Sequence, residues 1–219
     1  MRSTDLAITF FTFLTVLADA AVVGVVATAV AGRRWPRPWQ ALRAELAAGG
    51  VGLAWVVAAV CTSGSLYFSE VAGFEPCRLC WIQRGFMYPL VLVLGGALLA
   101  ARAGRDRLAG GARLLAGTAA LLGAGVSTYH VLLERFPSLE TSASCDPKVP
   151  CSLVWFERLG VVTLPFMALS GFVLVLTLLV ASRPVAAPSV ADPASDPTSD
   201  PTPVPAASSR RLQPQEVPS

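Results

Sequence analysis

Four of the five cysteines in this 219-residue chain fall in two close pairs. Cys77-Arg78-Leu79-Cys80 is a C-x-x-C, and Cys145 and Cys151 are separated by Asp146-Pro147-Lys148-Val149-Pro150. Two such pairs can pass electrons by thiolate attack through mixed disulfides. They can also supply four zinc ligands, or staple two loops without doing chemistry. Pro76 marks the first turn of a helix, which puts both sulfurs of the C-x-x-C near a helix N-terminus. Unpaired backbone N–H groups and the macrodipole there favour a thiolate. Arg84, four residues after Cys80, shares its helix face and would stabilise a thiolate or polarise an acceptor carbonyl, unless it only snorkels to the interface. His130, the only histidine, lies beside Tyr129 and can donate to an acceptor oxygen or serve as an interfacial polar group. The loop pair reads either as a mobile, exposed disulfide open to a soluble dithiol protein or as a plain staple. Cys61, alone in an apolar stretch, reads as a packing residue.

The elements around these residues are those of a membrane protein. Hydrophobic residues make up 54% of the chain and charged residues only 14%, against roughly 25% charged in soluble domains. Mean hydropathy is +0.60. A net charge of +3 is too small to suggest nucleic acid as a partner. Five segments are long and apolar enough to span a bilayer as helices: Leu6–Ala31, Val51–Phe68, Gly85–Ala101, Leu114–Leu133 and Leu159–Ala181. Only the first carries a charge, Asp19. Arg33, Arg34, Arg37 and Arg43 make loop 32–50 basic, and Arg102, Arg105, Arg107 and Arg113 do the same for loop 102–113. Both should face the cytoplasm. Loops 69–84 and 134–158 then face outside, where disulfides persist and exchange.

Leu6–Leu17 with Ala18-Asp19-Ala20 has the outline of a cleaved signal peptide, but cleavage would leave a 12-residue apolar stub and put Arg33 and Arg34 outside. An uncleaved first helix is therefore expected. From Ser182 the composition turns to Pro, Ala, Ser and Asp, so a disordered cytoplasmic tail is expected. The division is an extra N-terminal helix with its basic loop (1–50), a helical membrane domain (51–181) and a tail (182–219).

Pro76-Cys77-Arg78-Leu79-Cys80-Trp81-Ile82-Gln83-Arg84, followed by Gly85-Phe86-Met87-Tyr88-Pro89, resembles the active-site signature of the disulfide bond formation protein B (DsbB) family. The element order over residues 51–181 resembles it too, with Tyr129-His130 before the cysteine loop and Leu159-Gly160 after it. The resemblance implies an all-α four-helix transmembrane bundle, here with one extra N-terminal helix, in a bacterial cytoplasmic membrane. It implies a thiol:quinone oxidoreductase that reoxidises a DsbA-like thioredoxin-fold oxidase and passes the electrons to menaquinone or ubiquinone. By motif, Cys80 resembles the cysteine beside the quinone and Cys77 its partner that exchanges with the loop pair. Arg84 resembles the quinone-activating arginine and His130 a histidine near the quinone. Cys145 resembles the loop cysteine that the oxidase attacks, and Cys151 the one released.

The short C-x5-C loop pair resembles the Gram-positive branch of that family more than the enterobacterial one. A vitamin K epoxide reductase-like enzyme also carries two cysteine pairs on a helix bundle, but there the loop pair precedes the C-x-x-C. A non-enzymatic protein with zinc or inert disulfides leaves the Cys80–Arg84 spacing unexplained.

Overall fold

A computed structural model describes residues 2–140, 145 and 148–182 of the chain, and the tail expected from Ser182 onward lies almost wholly outside them. Five helices run in chain order: α1 (Arg2–Ala31), α2 (Pro36–Leu66), α3 (Arg78–Arg102), α4 (Asp106–Arg135) and α5 (Leu164–Ala181). All five are long and apolar enough to cross a membrane. Helices are the form in which a single segment satisfies its own backbone in lipid. The chain is thus an all-α, multi-pass membrane protein.

The helices are longer than the apolar segments at their ends. Stretch 32–50, expected as a loop, is helical from Pro36. Proline fits the first turn because its missing N–H would have no intrahelical acceptor there, and the Ala- and Leu-rich run that follows favours helix. Arg107 and Arg113 likewise lie on α4 rather than in a loop. At its other end α2 widens into a π-turn at Tyr67–Val71, after which Gly73, at φ 74°, turns the chain toward Pro76. The fifth segment is shorter than expected. Leu159 and Gly160 take positive φ, and Arg158 pairs with Val162, so residues 158–162 form a tight turn and α5 starts at Leu164.

Helices α2, α3, α4 and α5 form a four-helix arrangement in which each packs on its neighbours, and α1 lies against α5 and α2. Ala54, Ala58, Ala116 and Ala120 are fully buried where helices meet. Small residues let membrane helices approach closely, which matters where lipid gives no hydrophobic drive to associate. Leu90, Leu94, Phe172 and Val175 fill the space between, and the Phe172 ring lies on Gly123, where a Cβ would collide with it. Cys61 packs against Gly171. At the cysteine end Tyr67 donates to the Ser3 carbonyl (3.3 Å) and Arg158 pairs with Asp5 (3.5 Å), which ties the start of α1 to the loops. At the opposite end the Arg113 guanidinium donates to Ser182 O (2.8 Å) and Oγ (3.0 Å).

Candidate active site

Cys77 is the N-cap of α3. Its Sγ accepts the Cys80 N–H (3.3 Å) and lies 3.1 Å from Cys80 Sγ. The sulfur therefore takes the place of a capping oxygen and satisfies one of the N–H groups that a helix start leaves unpaired. Both cysteines are free thiols. The Cys80 thiol hydrogen bond is the main cause that draws Cys77 down from 9.0 to about 4, and His130 and the Cys80 N–H add to it against the opposing effect of burial. An ordinary cysteine titrates near 8.5, so these contacts favour the thiolate at Cys77.

Cys145 and Cys151 form a disulfide. Of the two readings of this pair, an exposed and mobile disulfide or a staple, the first is at odds with its burial, since the two residues are 4% and 1% exposed. They are covered because the loop folds onto the helix ends, where Cys77, Leu79 and Leu133 pack with them. Two polar contacts hold the loop there: Glu140 Oε1 accepts the Cys151 N–H (2.7 Å), and His130 Nε2 lies 3.0 Å from the Cys151 carbonyl oxygen. With this pair bonded, the four-thiolate zinc site does not form.

His130, from the buried face of α4, stands between the two pairs. Its Nε2 is 3.6 Å from Cys77 Sγ as well as 3.0 Å from Cys151 O. A carbonyl oxygen only accepts, so in that contact Nε2 carries the hydrogen. Nδ1 has no hydrogen-bond partner among the described residues. Cys77, Cys80 and His130 have ligand atoms within 4.8 Å of one another, close enough to share one ion.

Cys80, unlike Cys77, also lines a cavity of about 480 Å³ between α1, α2, α3 and α5. That volume suits a small-molecule site. Cys80, Gln83, Arg84, Tyr88 and Glu75 give it polar groups near the cysteines, and the rest of the lining is mostly apolar. Arg84 is buried, donating from Nε to Ser65 Oγ (3.0 Å) and from NH2 to Ser65 O (3.1 Å), with its guanidinium 5.0 Å over the Trp81 ring. Tyr88 also donates to Ser65 Oγ, at 3.2 Å. Gln83 is held by Ser127 Oγ (3.0 Å). His130, expected beside the cavity ligand, is not part of the lining; it touches the two cysteine pairs instead. Ser127, His130 and Glu134 recur at helical spacing on one face of α4, and that run of polar residues was the available sign of a buried polar seam.

Residues 49–181 match the family described as disulfide bond formation protein DsbB. Disulfide bond formation protein C of Bacillus subtilis is 41% identical over 122 residues, which is 56% of this chain and 83% of that protein. Probable disulfide formation protein C 1 of Bacillus anthracis is 40% identical over 55% of this chain and 81% of its own length. A probable disulfide formation protein of Deinococcus radiodurans is 37% identical over 58% and 84%. No solved structure gives a significant match.

Proposed function

We propose that this chain, which belongs to the disulfide bond formation protein DsbB family and is a disulfide-forming membrane oxidoreductase, takes electrons from a soluble DsbA-like dithiol oxidase and delivers them to a membrane quinone. The supporting observation is the placement of the C-x-x-C: Cys77 packs with the loop disulfide, while Cys80, its sulfur 3.1 Å away, lines a mainly apolar cavity together with Arg84. In this proposal the cysteine end faces outward from a bacterial cytoplasmic membrane, and the basic helix ends and the tail face the cytoplasm.

The relay balances as a series of exchanges. A thiolate of the partner attacks Cys145 Sγ, the Cys145–Cys151 bond breaks and Cys151 leaves as a thiolate. The partner's second thiolate resolves the mixed disulfide, so the partner is oxidised by two electrons and the loop pair is reduced. Cys151 then attacks the Cys77–Cys80 disulfide at Cys77, which displaces Cys80 as a thiolate. Cys145 closes onto Cys151, releases Cys77 and restores the loop disulfide, and the two electrons now rest on the C-x-x-C.

The cavity fits a quinone, with an apolar body for ring and chain and a buried cation where a ring oxygen would be polarised. When bound, the quinone supplies an acceptor for two electrons and two protons. Within the chain, Cys77 closes on Cys80 to regenerate the disulfide. Arg84, fixed by Ser65 and Trp81, needs no reorganisation to stabilise negative charge at that end.

The test uses the purified full chain in detergent with a reduced thioredoxin-fold C-x-x-C protein and a menaquinone or ubiquinone analogue. One quinone reduced for every two thiols lost is expected. Thiol loss without quinone reduction, for both quinone types, would refute the electron route.

A further inference from the structure

Helix α1 lies outside the residues that match the family, yet one stripe of it lines the cavity. Phe11, Leu14, Thr15, Leu17, Ala18 and Ala21 fall at the i, i+3, i+4, i+7 spacing of a single helix face. Phe10, Phe13 and Val16 lie on the other side and are 56%, 65% and 45% exposed. The stripe is anchored at the cysteine end. There the Phe11 ring sits over Gly64, where a Cβ would come within 2.6 Å of it, and meets Phe68 at a centroid distance of 5.4 Å. Farther from the cysteines the stripe continues with Leu17, Ala18 and Ala21, in a cavity wall that also includes Leu53 of α2 and Leu178 of α5. From Ser65 to Leu53 the cavity follows 12 residues of α2, about 18 Å at the rise of an α-helix. That is much longer than a quinone ring, and it suits a ring followed by an extended hydrocarbon chain.

We propose that α1 is the wall that holds the isoprenoid chain of the quinone, with Phe11 bordering the ring end and Ala18 and Ala21 leaving room for the chain. The inference rests on the quinone reading above, and adds that a helix outside the family core completes the site.

The full-length protein in detergent is tested in two binding measurements that need no turnover. In the first, an isoprenoid quinone with a photoreactive diazirine in its second or third isoprene unit is irradiated on the protein, and the labelled peptide is identified by mass spectrometry. Label within residues 11–21 is expected. In the second, quenching of tryptophan fluorescence gives the Kd of Ala18→Trp for an isoprenoid quinone and for a tail-less one. About tenfold weaker binding of the first, and less than twofold change for the second, are expected. Label confined to α2 and α5 with quinone bound overturns the role of α1 and leaves the function intact. Equal weakening of both quinones by Ala18→Trp overturns the assignment of that part of the cavity to the chain. If Ala18→Trp fails to fold, the label on the unmodified protein decides. Absence of quinone binding to the unmodified protein refutes the function and the wall together.

Discussion

Cys77 and Cys80 sit at a helix start, where backbone N–H groups already point at sulfur, whereas Cys145 and Cys151 are held in a loop by Glu140 and His130. Both pairs are shielded from solvent, but by different means. The helix pair keeps its geometry as long as α3 exists, because its cap contact is part of the helix. Among the described residues, the loop pair is held by packing on the helix ends and by side-chain contacts from Glu140 and His130, none of which is part of a helix backbone. Local opening needs little free energy where few contacts hold a segment. In the proposed relay, the difference would suit an inner pair that holds electrons in a fixed place and an outer pair that opens to a soluble partner.

The largest expected effects come from breaking either half of that comparison. Cys77→Ser, Cys80→Ser, Cys145→Ser and Cys151→Ser should each abolish quinone-dependent thiol oxidation in the coupled assay. Cys61→Ser, in a residue that belongs to neither pair and packs on Gly171 in the apolar part of the cavity wall, should retain quinone-dependent thiol oxidation. The halves should also separate in single turnover. Cys145→Ser should block the first electron entry, while Cys80→Ser should still accept partner electrons at the loop pair.

The contrast sharpens in the titration of Cys77. Its folded value near 4 is depressed, so the thiolate persists as pH falls from about 9 and is lost only as pH drops through about 4. At pH 6 an ordinary thiol near 8.5 is on the order of 0.3% ionised, so Cys77 should carry roughly 300 times more thiolate. Thiolate absorbance of the reduced protein against pH, compared with Cys77→Ser, measures this. Cys80→Ala should raise the midpoint most, since the Cys80 thiol is the largest cause, and His130→Ala should raise it less. A midpoint for Cys77 near 8.5 would remove the proposed asymmetry between the pairs.

His130 touches both halves, and its removal should slow exchange between them more than exchange with the partner. About 100-fold is expected for His130→Ala, the low end of what a positioned acid–base group contributes. Rapid acid quench with alkylation, counting thiols at each pair, measures the two exchanges separately. Equal slowing of both would make His130 a support for the fold rather than a link between the pairs.

Much of the frame is legible in the chain itself. The cysteine spacings, Pro76 as a helix opener and five apolar runs lead to the bundle and its C-x-x-C without a structure. The misreadings have particular causes. Leu159–Val162 is apolar, so composition assigns it to a span, whereas Gly160 and Pro165 mark a turn and a helix start. The basic ends of α2 and α4 fall below any apolar threshold, yet Ala and Leu keep them helical. His130 stands between the two cysteine pairs and off the cavity lining because Ser127, His130 and Glu134 share the inner face of α4, and which neighbour that face meets is a tertiary fact. The cavity wall from α1 is invisible for the same reason, since six lining residues at helical spacing look like any apolar stripe.

The smallest expected effect isolates the loop pair's own tether. Glu140 accepts the Cys151 N–H at 2.7 Å, a hydrogen bond to a charged acceptor. Such bonds are about twice as strong as neutral ones. Glu140→Gln keeps an acceptor of the same shape and loses only the charge, so roughly 0.7 kcal/mol of the tether should go, about threefold in the opening equilibrium. The expected result is threefold faster reduction of Cys145–Cys151 by a small dithiol, with an unchanged rate at Cys77–Cys80. Glu140→Ala should extend the gain toward tenfold. If neither substitution alters the reduction rate, burial under Leu133 rather than the Glu140 contact holds the loop disulfide closed, and the two pairs differ less in their restraint than their contacts imply.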